Sequence, residues 1–231
     1  MNPSRSHSPH IAHRDVGVEA GLCRARIRAC PSIAMVQSLQ GAASAVRTIA
    51  LQMLEERGRG AVLVGVARVD AALERLLQAV LLPSPGRSDS LFQADRPLGS
   101  FGARISLAHR LGLIETPVER ALHTLRRVRN AFAHSSDSAS LSDPAYAERL
   151  SQAYRDARAN PLWAPLESVL SKAGDNEGSP VDPALRNYIL LITILVAFLE
   201  AAAQQLAPQH PAVVMGFGGV RSPSSEAAEP N

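Results

Sequence analysis

The 231-residue sequence predicts an all-α protein, a single helical-bundle domain of about six to seven helices with disordered termini. Three observations carry this expectation. Apolar residues make up 46% of the chain but aromatics only 4%, so the core is built from Leu, Val, Ile and Ala, the side chains of packed helices. Apolar positions recur at helical spacing in one segment after another, with no alternating strand pattern of useful length and no internal repeat. Helix start and stop signals punctuate those segments. The length suits one substantial domain, divided as a basic leader over 1–35, a helical domain over 36–206 and a tail over 207–231.

The first helix is expected from Val36 to Glu56, where Leu39, Ala43, Val46, Ile49, Ala50, Met53 and Leu54 share a face, and Gly58 and Gly60 break it. A second runs from about Ala61 to Leu82 on the stripe Val62, Val66, Val69, Leu73, Leu76, Leu77 and Val80, and stops at Pro83. Residues 83–97, rich in Pro, Ser and Asp, form a loop. Ser100 caps a third helix that ends at Gly112, and the segment Gly99–Gly102 is a helix entry with close backbone packing. The fourth helix starts at Thr116 as N-cap, with Pro117 at the first helical position and Glu119 completing a capping box, and reaches His134. Pro144–Arg158 and Leu162–Lys172 are shorter helices. Asp182 and Pro183 open the last long one, to about Leu206. Its apolar run Tyr188–Leu199 is about twelve residues against the roughly 20 of a membrane span, which makes it a buried core helix.

The excess positive charge belongs to the leader. Residues 1–30 hold five arginines (Arg5, Arg14, Arg24, Arg26, Arg28) against Asp15 and Glu19; the totals of 24 basic and 21 acidic residues leave 19 of each in the rest. A neutral domain lacks the basic footprint of a nucleic-acid binder, which argues against direct DNA binding and leaves only a local patch around Arg126–Arg129. The fourth helix is too long and too buried on one face to read a groove as the second helix of a helix-turn-helix. Cys23 and Cys30 both fall in the leader with no partners at metal-ligand spacing, so neither a disulfide framework nor a zinc site is expected, and a cysteine-free domain fits the cytoplasm. No secretory signal follows the early arginines; the leader reads either as a disordered, translated segment or as sequence upstream of a true start at Met35. No phosphate-binding glycine loop, nucleophile elbow or zinc-protease motif occurs, and no cofactor or metal is expected.

The segment Arg129-Asn130-Ala131-Phe132-Ala133-His134 is the strongest candidate for chemistry. On a helical wheel Val118, Leu122, Leu125, Val128 and Phe132 form the core stripe, and Arg129 lies about 40° from its centre. Arg127, Asn130 and His134 fall on nearly the opposite side. A guanidinium near a core face demands a carboxylate, and Asp70 at the edge of the second helix's stripe is the expected partner of Arg129, with Glu74 the second choice. Arg129 and His134 do not share a face, so joint chemistry on one phosphate requires the helix to end before His134. In that arrangement His134 would move a proton, Arg129 would stabilise the phosphorane charge and Asn130 would position either partner. The same residues also suit a purely structural role, an ion-paired arginine and a histidine at a helix end. His109 and His123, at rim positions, are expected to be solvated.

Three stretches, Gly60–Leu82 (GAVLVGVARVDAALERLLQAVLL), Leu98–Ile114 (LGSFGARISLAHRLGLI) and Leu125–His134 (LRRVRNAFAH), together resemble the mannitol operon repressor (MltR) family, over about residues 45–135. The resemblance implies an all-α regulatory protein linked to sugar-alcohol uptake and acting through protein partners. The shorter Arg-Asn-x-x-x-His signature also resembles the HEPN superfamily. That likeness implies a homodimer and, in its active members, a metal-independent ribonuclease in which Arg129 and His134 are the catalytic groups.

Overall fold

The computed structural model describes residues 32–84, 86, 89–134, 139–176, 181–210 and 213–221. Six α-helices account for most of them: α1 (Ser32–Val80), α2 (Phe101–Arg110), α3 (Thr116–His134), α4 (Pro144–Arg158), α5 (Trp163–Asn176) and α6 (Pro183–Gln205). A short 3-10 helix, Ser90–Phe92, interrupts the connection between α1 and α2. The all-α fold is as the sequence predicts. The leader up to residue 31 lies outside the described residues.

The first two expected helices are one element. α1 is 49 residues long, yet it is not straight. The Arg68 guanidinium donates to the Gln52 side-chain oxygen at 2.6 Å, although sixteen residues of straight helix would separate the two by about 24 Å. A Cβ on Gly65 would likewise meet the Met53 methyl at 2.8 Å. The element therefore folds back on itself where the sequence places its break, at Gly58, whose φ of +44° is accessible to glycine and costly for other residues. The two arms then bury Ile49, Ala50 and Met53 against Val62, Val66 and Val69.

α6 is the centre of the bundle, packed most extensively on α1 and also against α4 and α5. Every residue from Tyr188 to Val196 is buried, Thr193 included. Among the described residues it is the one helix long and apolar enough to cross a membrane, and over half of that apolar window is buried against other helices. Gly65 makes the closest approach possible: a Cβ there would lie 3.2 Å from both Ile192 and Tyr188. Beside it the Tyr188 hydroxyl donates to the Val62 carbonyl at 3.1 Å.

Burial first, and the neighbouring Tyr154 second, hold the Tyr188 phenol well above its ordinary value near 10. The folded state thus keeps a proton that the unfolded state releases above pH 10, so this contribution is complete below pH 10 and is lost as pH rises further. Tyr188→Phe should cost about 1 kcal/mol at pH 7 through the lost hydrogen bond. The gap to the wild-type protein should narrow in urea titrations repeated at pH 10.5 and above.

The expected Ser100 and Asp182 caps are present, and Asp143 adds a third. Ser100 Oγ accepts from Ala103 N at 3.2 Å, and Asp143 and Asp182 cap α4 and α6 ahead of Pro144 and Pro183. Gly112, at φ +70°, ends α2 and lets Leu113 N reach the Ala108 carbonyl. Gly99 has no room for a side chain, because a Cβ would collide with the backbone carbonyls of Gln93 and Ala94; the close-packed helix entry is present as expected. The tail departs from expectation. Val214–Gly216 (β1) and Gly219–Arg221 (β2) pair as an antiparallel hairpin, with Gly219 at φ +117° closing the turn. A three-residue strand interrupted by glycines is too short to show as an alternating pattern, which is why the sequence reading passed over it.

Candidate functional site

The Arg-Asn-x-x-x-His motif occupies the last turn and a half of α3. The apolar stripe of that helix packs as expected, with Ala121, Leu122, Leu125, Val128 and Phe132 buried, and the Phe132 ring lies against Tyr146 of α4 at 4.9 Å between centroids. The polar members of the motif all face solvent: Arg129, Asn130 and His134 are exposed. Arg129 Nη1 lies 3.5 Å from Asn130 Oδ1, a loose contact between neighbours. The helix does not end before His134. Its Ala133 carbonyl accepts a hydrogen bond at 3.1 Å from Arg59, just past the reversal in α1, and that cation satisfies one of the carbonyls a helix end leaves free. With the last turn held, Arg129 and His134 project about 140° apart around the axis, and one chain does not gather them onto one phosphate.

The expected Asp70–Arg129 pair is replaced by another. Arg104, on α2, donates from Nη1 to Asp70 Oδ1 at 2.6 Å and from Nη2 to Glu74 Oε2 at 2.9 Å. Its Nε donates to the Leu98 carbonyl at 2.8 Å and Nη2 also reaches the Phe92 carbonyl at 3.3 Å. The guanidinium additionally lies over the Phe92 ring, 5.7 Å from its centroid. Arg104 is 7% exposed. It ties α1, α2 and the 3-10 connection into one unit, with every polar edge of the fork occupied. Asp70 and Glu74 therefore do hold an arginine, as their place on the stripe's edge suggests, but α2 supplies it. The signal was present in the sequence: Arg104 stands three residues after Phe101 and four before Ala108, within the apolar row of a short helix. A neutralised, saturated arginine is a structural lock.

A second polar cluster joins α2 to α3. Glu119 Oε2 lies 3.4 Å from His109 Nδ1 and its Oε1 lies 3.9 Å from His123 Nε2. Thr116 Oγ1 sits 3.2 Å from His109 Nε2. The residues expected to form a capping box are thus engaged with histidines, and α3 begins one residue earlier than a Thr116 cap would set it, with Glu119 N bonded to the Glu115 carbonyl. His109 and His123 are half-buried at this junction instead of free in solvent. No group of three or more His, Cys, Asp or Glu side chains is placed to hold a metal ion among the described residues.

Two surfaces remain open. The outward side of α3 exposes Arg120, Arg126, Arg127 and Arg129; Arg127 is bonded only to Thr124 at 3.3 Å, and none of the four forms a salt bridge among the described residues. Elsewhere an apolar groove of about 390 Å³ runs between α6, α4 and the start of α3, with Leu76, Val118, Leu195 and Phe198 in its wall and Glu115 and Asp156 as its only charged lining residues. Comparison with family models, curated proteins and solved structures finds no match to this chain.

Proposed function

We propose that this protein is a non-catalytic, cytoplasmic regulator of the MltR kind, linked to sugar-alcohol uptake, that acts through an acidic protein partner. One observation carries the reading: Arg126, Arg127 and Arg129 stand exposed and, among the described residues, without carboxylate partners, a local cluster of positive charge in a sequence that balances to zero beyond the leader. Such a face attracts an anionic surface, and charge complementarity there sets partner choice and association rate. The separation of Arg129 from His134 around the axis of α3 supports binding over turnover.

The test combines Arg126→Glu, Arg127→Glu and Arg129→Glu in one chain. The triple variant should fold normally yet lose its effect on transcripts for sugar-alcohol uptake in cells, whereas the wild-type protein alone should give no specific shift of operator DNA at 150 mM salt. An effect that survives charge reversal sinks the reading. The same arginines give a ribonuclease its substrate field, so RNA cleavage is the second reading: purified protein incubated with structured RNA in EDTA would cut it, and His134→Ala would abolish the cutting.

A further inference from the structure

We propose that the apolar groove is filled by the β1–β2 hairpin of a second copy of this chain, so that two copies form a reciprocal dimer. The hairpin is the most conspicuous unpartnered element of the fold. Of the nine exposed large hydrophobic residues among the described ones, five (Val213, Val214, Met215, Phe217 and Val220) belong to it, with Met215 at 80% and Phe217 at 116% exposure. None of the five packs on the core. Two strands of three residues do not stand in water by their own hydrogen bonds, and an apolar cluster of this kind on a soluble surface marks a contact site.

The pairing gives the hairpin a wedge shape. Met215 lies opposite Val220, so both side chains leave the same face, Val213 joins them two residues earlier, and Phe217 forms the tip. The other face carries Val214, with Gly216 and Gly219 beside it. The groove presents the complement: aliphatic walls and, at Phe198, a half-exposed aromatic ring. Charge agrees in sign. Between Ala207 and Arg221 the sequence has no carboxylate and ends on an arginine, while the groove's charged residues, Glu115 and Asp156, are both acidic and neither forms a salt bridge among the described residues.

A second copy is the occupant because none of the chain's own hairpin residues lines the groove or packs on the core. Gln209 N is bonded to the Val80 carbonyl at 2.8 Å, which pins the connection at the end of α1 directly after Pro208. Five such side chains carry on the order of 600 Å² per copy. Two reciprocal insertions, with the walls they cover, reach the roughly 1,600 Å² of a stable interface. A twofold arrangement closes on itself and leaves neither hairpin nor groove unfilled. The dimer goes beyond the regulatory reading and does not depend on it, since α3's arginine face is not used.

Light scattering on the full chain at about 50 µM checks this. The wild-type protein should be a dimer, and Phe217→Glu and Phe198→Glu, both at exposed positions, should each yield a folded monomer with an unchanged helical circular dichroism spectrum. With Cys23 and Cys30 replaced by serine, a Phe217→Cys chain mixed with a Phe198→Cys chain should form a disulfide between copies. A monomeric wild type, a dimer indifferent to both substitutions, or a crosslink that forms only within a chain carrying both cysteines would each overturn the proposal, the last by showing that the hairpin closes on its own groove.

Discussion

Arg104→Met is expected to destabilise the fold by about 3 kcal/mol, the lower part of the range for breaking a buried ion pair. The lost fork served two carboxylates and two backbone carbonyls. Removing it leaves Asp70 and Glu74 one turn apart with like charges and no counter-ion, while the Leu98 and Phe92 carbonyls lose a charged donor. The cost stays below the maximum because the Asp70 and Glu74 side chains are 29% and 31% exposed, so water reaches both once the arginine has gone. Arg104→Lys should recover only part of the loss, since one ammonium cannot reproduce a planar fork aimed at four acceptors. Adding Asp70→Asn and Glu74→Gln to Arg104→Met should recover more, by removing the repulsion. Urea titration measures all three. Chymotrypsin provides a local readout: with the connection no longer tied through Phe92 and Leu98, cleavage after Phe92, which is buried under the Arg104 guanidinium in the intact fold, should accelerate before global unfolding. Equal stability of Arg104→Met and the wild-type protein would show that the lock is dispensable.

Phe132→Ala should cost about 3–5 kcal/mol, the range for emptying a buried aromatic site, whereas Arg129→Ala and His134→Ala should each stay within about 0.5 kcal/mol of wild type. The contrast divides the motif by what its residues touch. Phe132 is fully buried and meets Tyr146, so its loss opens a cavity at the junction of α3 and α4 and removes an aromatic pair. Arg129 and His134 stand in water at the same end of the same helix. Thermal or urea unfolding of the three variants separates them. A large loss from Arg129→Ala would mean that its guanidinium is engaged in the fold after all, and would return the arginine to the structural role the helical wheel suggested. A neutral Phe132→Ala would mean that α4 closes the gap by sliding.

The helices were legible because each is specified locally. The stripes Val62–Val80 and Leu122–Phe132, the Ser100 and Asp182 caps and the stop at Gly112 depend on residues within a few positions of one another, and all appear where the sequence puts them. The break at Gly58 was legible for the same reason, since a glycine that can adopt positive φ is a local property. Its consequence was not: whether a break becomes a loop or a tight reversal depends on what the two arms bury against each other, and here Met53 against Gly65 selects the reversal. The start of α3 shows the competition in miniature, because Thr116 and Glu119 fit a capping box but are taken by His109 and His123 from the tertiary contact and the next turn of the helix.

The amino-acid sequence by itself determined the all-α class, the faces that the helices bury and Asp70 and Glu74 as carboxylates that pair with an arginine; the arginine it assigned them, Arg129, is not the one they hold. Only the tertiary structure decided which cation answers them. Arg104 and Arg129 both border an apolar row, and periodicity assigns a residue to a face but does not rank candidates on different helices for one partner. Helix α2 sets Arg104 beside both carboxylates, with backbone acceptors of the connection that contains the 3-10 turn meeting the rest of its fork. Arg129 is left on the outer side of α3, where a guanidinium keeps its hydration at no cost. It is there available to bind, and the carboxylates of the core make no demand on it.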